Sequence, residues 1–380
     1  MKKIIISIFV ILCFILKSYS QDSLNFVLSN RINFKEHPEK GEIFNLYKNY
    51  LYSRPDSIYD NPFWNKEEKA LYYRFDFSIS PIFGGFDFKT FSEYFDIYIL
   101  SIEKNQKEEF YTIKSLYQFK GGLNNGSSVW CIHRVNAIKD NNTWKLQNNS
   151  VNMTNNWSLK KINKINYYYS SSYHFDDKEA RTASNFIDSI SNTFELILKE
   201  KYNYYCVKDI DELGELIGFD YFFTGITTGV TSLKDGYIMT SLGEFHAHEL
   251  IHLIFSSEIP RNFLIEEGLA VFLGTRFKEL KKYKDEQKIL IQDVLNIEDY
   301  NVQKLLEQKA PHKGYNYKYP FGSILCELVY KDKGIEGLKK LIFSDTKSTN
   351  NLIKELKNVL EIKEDSVLYD TILSYINQIK

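Results

Sequence analysis

Aromatic and β-branched residues are concentrated in several segments of the first 157 residues, a pattern that predicts β-strands. A helical or irregular segment precedes them, over residues 41–52. Asp140-Asn141-Asn142 predicts a hairpin turn before the short run that begins at Thr143. We therefore expect an N-terminal, sheet-rich α+β domain over residues 21–157, with the Asn-rich stretch 148–156 as a linker. The predicted strands are residues 94–99, 110–119, 128–139 and 143–146.

The second half of the chain changes from a strand pattern to a helix pattern. Apolar residues recur at helical spacing between Asp177 and Glu200. After Thr240 the pattern is almost wholly helical, and strands followed by helices are typical of an α+β domain. We predict a second domain over residues 158–380, with a helical part from about residue 277. Its predicted strands are residues 165–169, 202–207, 221–226 and 237–240.

The N-terminus has the pattern of a secretory signal peptide. Lys2 and Lys3 precede an apolar run over residues 4–16, and small residues lead to Ser20. The run is short for a membrane span. We predict cleavage near Ser20, a secreted or periplasmic protein, and no stable membrane span in the mature chain.

The composition and net charge of the chain are those of a globular protein and do not favour nucleic-acid binding. The chain has 380 residues, 43% of them hydrophobic, and a formal net charge of -1. These values describe an ordinary globular protein and give no electrostatic reason to expect a nucleic-acid partner. The predicted mature chain keeps Cys131, Cys206 and Cys326. Three cysteines allow at most one disulfide, and their spacing does not match a metal site.

Three of the seven histidines lie in the sequence Phe245-His-Ala-His-Glu-Leu-Ile-His252. In a helix, His248 and His252 lie on one face about one turn apart, so both can bind a single metal ion. Glu249 completes the His-Glu-x-x-His arrangement, in which the histidines bind Zn²⁺ and the glutamate accepts a proton from water. His246 points to another side of such a helix, and we expect it to be a polar residue at the helix start.

A catalytic zinc site needs a third protein ligand. Residues 262–274 predict a second helix, in which Glu266 and Glu267 interrupt an apolar run. His-Glu-Leu-Ile-His followed by Leu-Ile-Glu-Glu-Gly-Leu-Ala resembles the gluzincin metallopeptidases. The resemblance is specific over residues 245–274, looser over residues 161–337 and absent from the N-terminal domain. It implies a zincin-like catalytic domain with Glu267 as the third ligand and Glu266 as its neighbour.

The same resemblance concerns three further positions. Aminopeptidase-type gluzincins carry Tyr-x-x-Gly, which Tyr319-Pro-Phe-Gly322 matches, and this implies that Tyr319 stabilises the oxyanion. Thermolysin-like members orient a histidine ligand with an acidic residue where this chain has Val271. Aminopeptidases of the clan bind the substrate amino terminus through a glutamate, whereas residues 229–236 here contain none.

The combined pattern predicts a zinc metallopeptidase acting on peptides or proteins, more as an endopeptidase than as an aminopeptidase. An extended substrate is expected to pair with an edge strand near residues 237–240. Two alternatives stay open. The zincin-like domain could bind metal without turnover, or the N-terminal domain could be the functional part, docking a partner or a polymer. The oligomeric state stays open as well.

Overall fold

The computed structural model describes residues 23–53, 60–106, 108–122, 128–232, 234–255, 259–275, 301–307 and 318–378. The predicted signal peptide lies outside these ranges. The fold is α+β, as predicted. None of the helices in these ranges is long and apolar enough to cross a membrane. The chain forms two compact units: residues 1–157 with 209–227, and residues 158–208 with 228–380.

The first unit contains a six-stranded sheet. Its order is β1-β2-β3-β4-β5, and β9 also pairs with β4. Only β1 and β2 are parallel, and the other pairs are antiparallel. Buried residues alternate with partly exposed ones along β2 and β3, so one face of the sheet packs in a core. The strands are β1 (Asn25–Leu28), β2 (Phe95–Lys104), β3 (Tyr111–Phe119), β4 (Val129–Asp140), β5 (Thr143–Gln147) and β9 (Phe219–Phe222).

The hairpin between β4 and β5 confirms the predicted turn. Asp140 pairs with Thr143, and the two asparagines between them have φ values of 50° and 62°. Asparagine tolerates this left-handed conformation better than most residues. The helices of the unit are α1 (Pro38–Tyr52), α2 (Lys66–Leu71), α3 (Ile79–Phe83), α4 (Phe88–Tyr94), α5 (Asn149–Thr154) and α7 (Ile210–Leu216).

The predicted linker at residues 148–156 is wrong. Most of it is helix α5, and the side chain of Asn148 is buried. Asn148 donates from its side chain to Glu68 Oε1 at 2.8 Å and from its backbone to Glu68 Oε2 at 3.1 Å. Glu68 is 2% exposed, and a buried carboxylate needs such donors. The asparagine is therefore part of the first unit's interior.

The second unit contains a five-stranded mixed sheet in the order β10-β11-β8-β7-β6. The outer pairs are antiparallel, whereas β11-β8 and β8-β7 are parallel. Tyr167 and Tyr204 are fully buried on one face of it. The strands are β6 (Ser158–Ile162), β7 (Ile165–Tyr169), β8 (Tyr202–Cys206), β10 (Gly229–Ser232) and β11 (Tyr237–Thr240).

Helices complete the second unit. Helix α6 begins after Asp176, whose side chain accepts hydrogen bonds from the backbone of residues 178 and 179, and its buried stripe from Ala180 to Phe194 confirms the predicted amphipathic helix. The described residues after 301 are mainly helical, as predicted. The helices are α6 (Asp177–Phe194), α8 (Ala247–Ile254), α9 (Phe263–Thr275), α10 (Val302–Glu307), α11 (Lys318–Ile342), α12 (Thr349–Leu360) and α13 (Asp365–Gln378).

The segment 209–227 differs from the predicted second domain. It belongs to the first unit because β9 pairs with β4 there, with Phe219 opposite His133. The chain therefore passes between the two units three times. Cys131, Cys206 and Cys326 are buried free thiols, so the described residues contain no disulfide.

Candidate metal centre

Helix α8 carries the two histidines of the His-Glu-x-x-His sequence. Its other side chains, including Leu250, Ile251 and Leu253, are buried in the core of the second unit. The spacing of four residues places His248 and His252 on one face of the helix. The burial of the other side chains fixes the rotation of that face. Their Nε2 atoms are 3.1 Å apart, and both side chains are mostly buried.

Helix α9 brings Glu267 to the same point. Its Oε2 lies 3.2 Å from His248 Nε2 and 3.3 Å from His252 Nε2. Among the described residues, these three side chains form the one group of histidine, cysteine and carboxylate side chains that could hold a metal ion. The structure therefore brings together all three residues that the sequence predicts as ligands.

The donor set fits zinc. Two imidazole nitrogens and one carboxylate oxygen are a known set for catalytic zinc, which keeps its fourth position for water or substrate. Tetrahedral bonds of 2.0–2.1 Å place neighbouring donors roughly 3.3 Å apart. The three separations here, 3.1 to 3.3 Å, agree with this geometry.

The charges in this group are strongly coupled. Burial alone would lower the pKa of His252, but hydrogen bonds with Glu266 and Glu267 outweigh it and raise the pKa to about 10. Burial likewise opposes ionisation of Glu267, but hydrogen bonds with His248 and His252 lower its pKa to about 2. Glu267 is therefore a carboxylate at neutral pH, the form that binds a metal.

Glu266 was predicted only as a neighbour of the ligand, and the structure gives it a contact of its own. Its Oε1 lies 3.5 Å from His252 Nδ1, the ring nitrogen that faces away from the other donors. Arg261 donates from Nε to Glu266 Oε2 at 2.5 Å, and the side chain of Arg261 is 3% exposed. A carboxylate on the second imidazole nitrogen fixes the ring orientation of a metal ligand.

His248 differs from His252 in this respect. In the described part of the chain its Nδ1 is buried without a hydrogen-bond partner. Val271 is fully buried at the position where thermolysin-like members have an acidic residue. Among the described residues, a carboxylate therefore lies on Nδ1 of His252 and not on Nδ1 of His248, and this carboxylate belongs to Glu266, the residue before Glu267.

Glu249 faces strand β10. Thr231 donates from Oγ1 to Glu249 Oε2 at 2.5 Å. β10 is the edge strand of the sheet, whereas β11 lies between β10 and β8. The expectation that residues 237–240 form the edge is therefore wrong, because the chain adds β10 outside β11 as an antiparallel strand.

The rings of Tyr319 and His246 both lie near the ring of His248. The ring of Tyr319 stacks on His248 with centroids 6.0 Å apart. Burial and the charges of Glu267 and Glu249 raise the pKa of Tyr319 to about 12. His246 immediately precedes α8, as predicted, and its Nδ1 lies 2.9 Å from Thr240 Oγ1.

Two glycines allow α9 and α11 to approach each other closely. A Cβ atom at Gly268 would overlap the backbone of Gly322, and one at Gly322 would overlap the carbonyl oxygen of Leu264. Gly268 follows Glu267 directly, and Gly322 is three residues after Tyr319. The contact therefore sets the positions of both side chains relative to each other.

Comparisons with known proteins gave matches to solved structures alone. No family model matches the chain, and no curated protein matches it. An M1 zinc metallopeptidase from Deinococcus radiodurans matches 75% of this chain and 63% of its own, at 11% identity and a TM-score of 0.36. A mutant M1 zinc metallopeptidase from the same organism, bound to a Tyr-Ser-Ala substrate, aligns with 74% of this chain over 63% of its own length. The sequence identity is 9% and the TM-score 0.38.

A two-domain M1 zinc metallopeptidase bound to L-tryptophan matches 58% of this chain and 50% of its own, at 11% identity and a TM-score of 0.37. The chain thus spans 50% to 63% of the length of these solved structures.

Proposed function

We propose that the chain is a secreted zinc metallopeptidase that cleaves peptide bonds within its substrates rather than at their amino terminus. One observation carries the proposal: the donor atoms of His248, His252 and Glu267 converge to within 3.3 Å of one another. Glu249 follows His248 directly in the sequence. A site for metal binding alone would not need a carboxylate at position 249.

The residues have distinct parts in the proposed reaction. A zinc ion in this set would polarise the peptide carbonyl and lower the pKa of a water molecule. Glu249 would accept the proton of the attacking water and then deliver it to the leaving amine. Tyr319 would donate a hydrogen bond to the developing oxyanion, because a phenol is protonated at neutral pH.

Two features favour internal cleavage. Residues 229–236 contain no glutamate to bind a substrate amino terminus. In the described residues no strand pairs with the outer edge of β10, which contacts Glu249 through Thr231. An extended peptide could add to this edge as a further strand, which would hold several substrate residues on both sides of the scissile bond.

The test combines metal content with one substitution. We expect purified mature protein to contain about one zinc per chain and to cleave fluorescein-labelled denatured casein in a chelator-sensitive way. Glu249→Gln should keep the zinc and lose activity by about 100-fold or more, because proton transfer is removed while the ligands remain. Glu327→Gln, which removes an ion pair with Lys331 on α11, is a matched control.

Substoichiometric zinc, or undiminished cleavage by Glu249→Gln, would contradict the proposal. Bound zinc without cleavage by the wild type would favour the alternative of a metal-binding protein without turnover.

A further inference from the structure

Strand β10 packs directly on the proposed general base. Side chains alternate along a strand, so positions 229 and 231 face the same side. A Cβ atom at Gly229 would lie 2.9 Å from Glu249 Cγ and 2.8 Å from His246 Cε1. Two positions further along, the hydroxyl of Thr231 reaches the carboxylate of Glu249 at 2.5 Å. The strand therefore contacts both the stem and the carboxylate of Glu249.

A second attachment fixes the strand relative to α8. Thr240 donates from Oγ1 to the carbonyl oxygen of Thr228 at 2.9 Å. A threonine hydroxyl has one hydrogen, so the contact between Thr240 Oγ1 and His246 Nδ1 at 2.9 Å must be donated by the imidazole. The residue before β10 and the residue before α8 are thus joined through Thr240. This attachment limits the movement of Thr231 relative to Glu249.

We propose that Thr231 is a positioning residue for Glu249, an inference that rests on the proposed peptidase function. The carboxylate of a glutamate rotates about three side-chain torsions, and proton transfer requires it to lie within hydrogen-bond reach of water. A hydroxyl bonded to a carboxylate is a charge-assisted contact. Thr231 holds Oε2 of Glu249 in one place and thereby limits the rotation of the carboxylate.

The test compares two substitutions of Thr231 in the full mature chain, loaded with zinc, on fluorescein-labelled denatured casein. Thr231→Val removes the hydroxyl at nearly constant volume, and we expect kcat to fall about 10- to 100-fold, as for loss of a hydrogen bond to a charged group. KM and zinc content should stay unchanged. Thr231→Ser keeps the hydroxyl and should restore most of kcat. Thr182→Val on helix α6, which removes a hydroxyl bonded to Lys178 O, is the matched control.

Two kinetic outcomes would overturn the inference: wild-type kcat in Thr231→Val, or equal loss in Thr231→Val and Thr231→Ser. Loss of folding would appear as a lower zinc content and a changed circular dichroism spectrum. Thr231→Ala then replaces the valine variant, and the same kinetic criteria apply to it.

Failure of the proposed function is a separate result, seen when the wild type cleaves casein no faster than Glu249→Gln. Crystal structures of the wild type and Thr231→Val then decide the positioning inference. A single orientation of the Glu249 carboxylate in the wild type and several in the variant support it. The same single orientation in both overturns it.

Discussion

At the residue scale, the two histidines differ in what contacts their Nδ1 atoms. Glu266 Oε1 lies 3.5 Å from Nδ1 of His252, whereas Nδ1 of His248 is buried without a hydrogen-bond partner among the described residues. The spacing of His248, Glu249 and His252 is enough to predict their grouping, because a helix places residues four apart on one face. The contact between Glu266 and His252 could not be predicted. It depends on the angle between α8 and α9 and on Arg261, which holds the carboxylate from a buried position.

Glu266 provides a test of how much this orientation contributes to metal binding. We expect Glu266→Gln to weaken zinc affinity about 10- to 100-fold, because an amide is a weaker acceptor for His252 Nδ1 and no longer pairs with the charge of Arg261. Competition with a chromophoric chelator measures the affinity. Glu327→Gln is again the matched control, and wild-type affinity in Glu266→Gln would show that the contact has no part in holding the metal.

At the element scale, seven of the eight predicted strands and the amphipathic helix α6 lie close to their predicted ranges. The predicted strand 221–226 shares two residues with β9, and the order of the strands does not follow from the sequence pattern. β10 has the sequence Gly-Val-Thr-Ser, which is too short and too polar to predict a strand. Its pairing with β11 makes it the edge, and this is why the sequence assigned the edge to the wrong strand. The contact between Gly268 of α9 and Gly322 of α11 could not be predicted either, because it depends on how the two helices pack against each other.

The contact between these helices predicts a combined effect on stability and on the site. Gly322→Ala places a methyl group where Leu264 O lies, so α9 and α11 must separate. We expect the free energy of unfolding of the second unit to fall by about 1–3 kcal/mol or more. Zinc affinity should fall with it, because Glu267 is carried by α9. Chemical denaturation and chelator competition measure the two effects.

Gly41→Ala is the control for that substitution. Gly41 lies inside helix α1, where the three atoms nearest to an added Cβ all belong to the Phe34 side chain and lie at ordinary contact distances. Alanine is favoured over glycine in a helix interior, so this variant should be as stable as the wild type or more stable. A Gly322→Ala protein with wild-type stability and affinity would mean that the two helices can adjust without moving Glu267.

At the scale of the whole molecule, the sequence predicts two α+β domains but not the path of the chain between them. The chain passes from the first unit to the second after Trp157. The return of residues 209–227 to the first unit could not be predicted, because β9 is a four-residue strand whose partner, β4, lies about 90 residues earlier in the chain. A hydrophobic pattern within a few residues does not predict which distant strand will pair with them.

This path determines which fragments can fold. Residues 23–157 alone lack β9, whose Phe219 is 2% exposed and whose Asp220 pairs with Arg134 and Lys114 at 2.5 Å. We expect this fragment to be less stable, by at least about 2 kcal/mol, than the same fragment joined to residues 209–227 by a flexible Gly/Ser linker. Urea denaturation followed by circular dichroism measures the difference. A scrambled 209–227 segment on the same linker should give no gain, and equal stability of all three proteins would show that β9 is dispensable for the first unit.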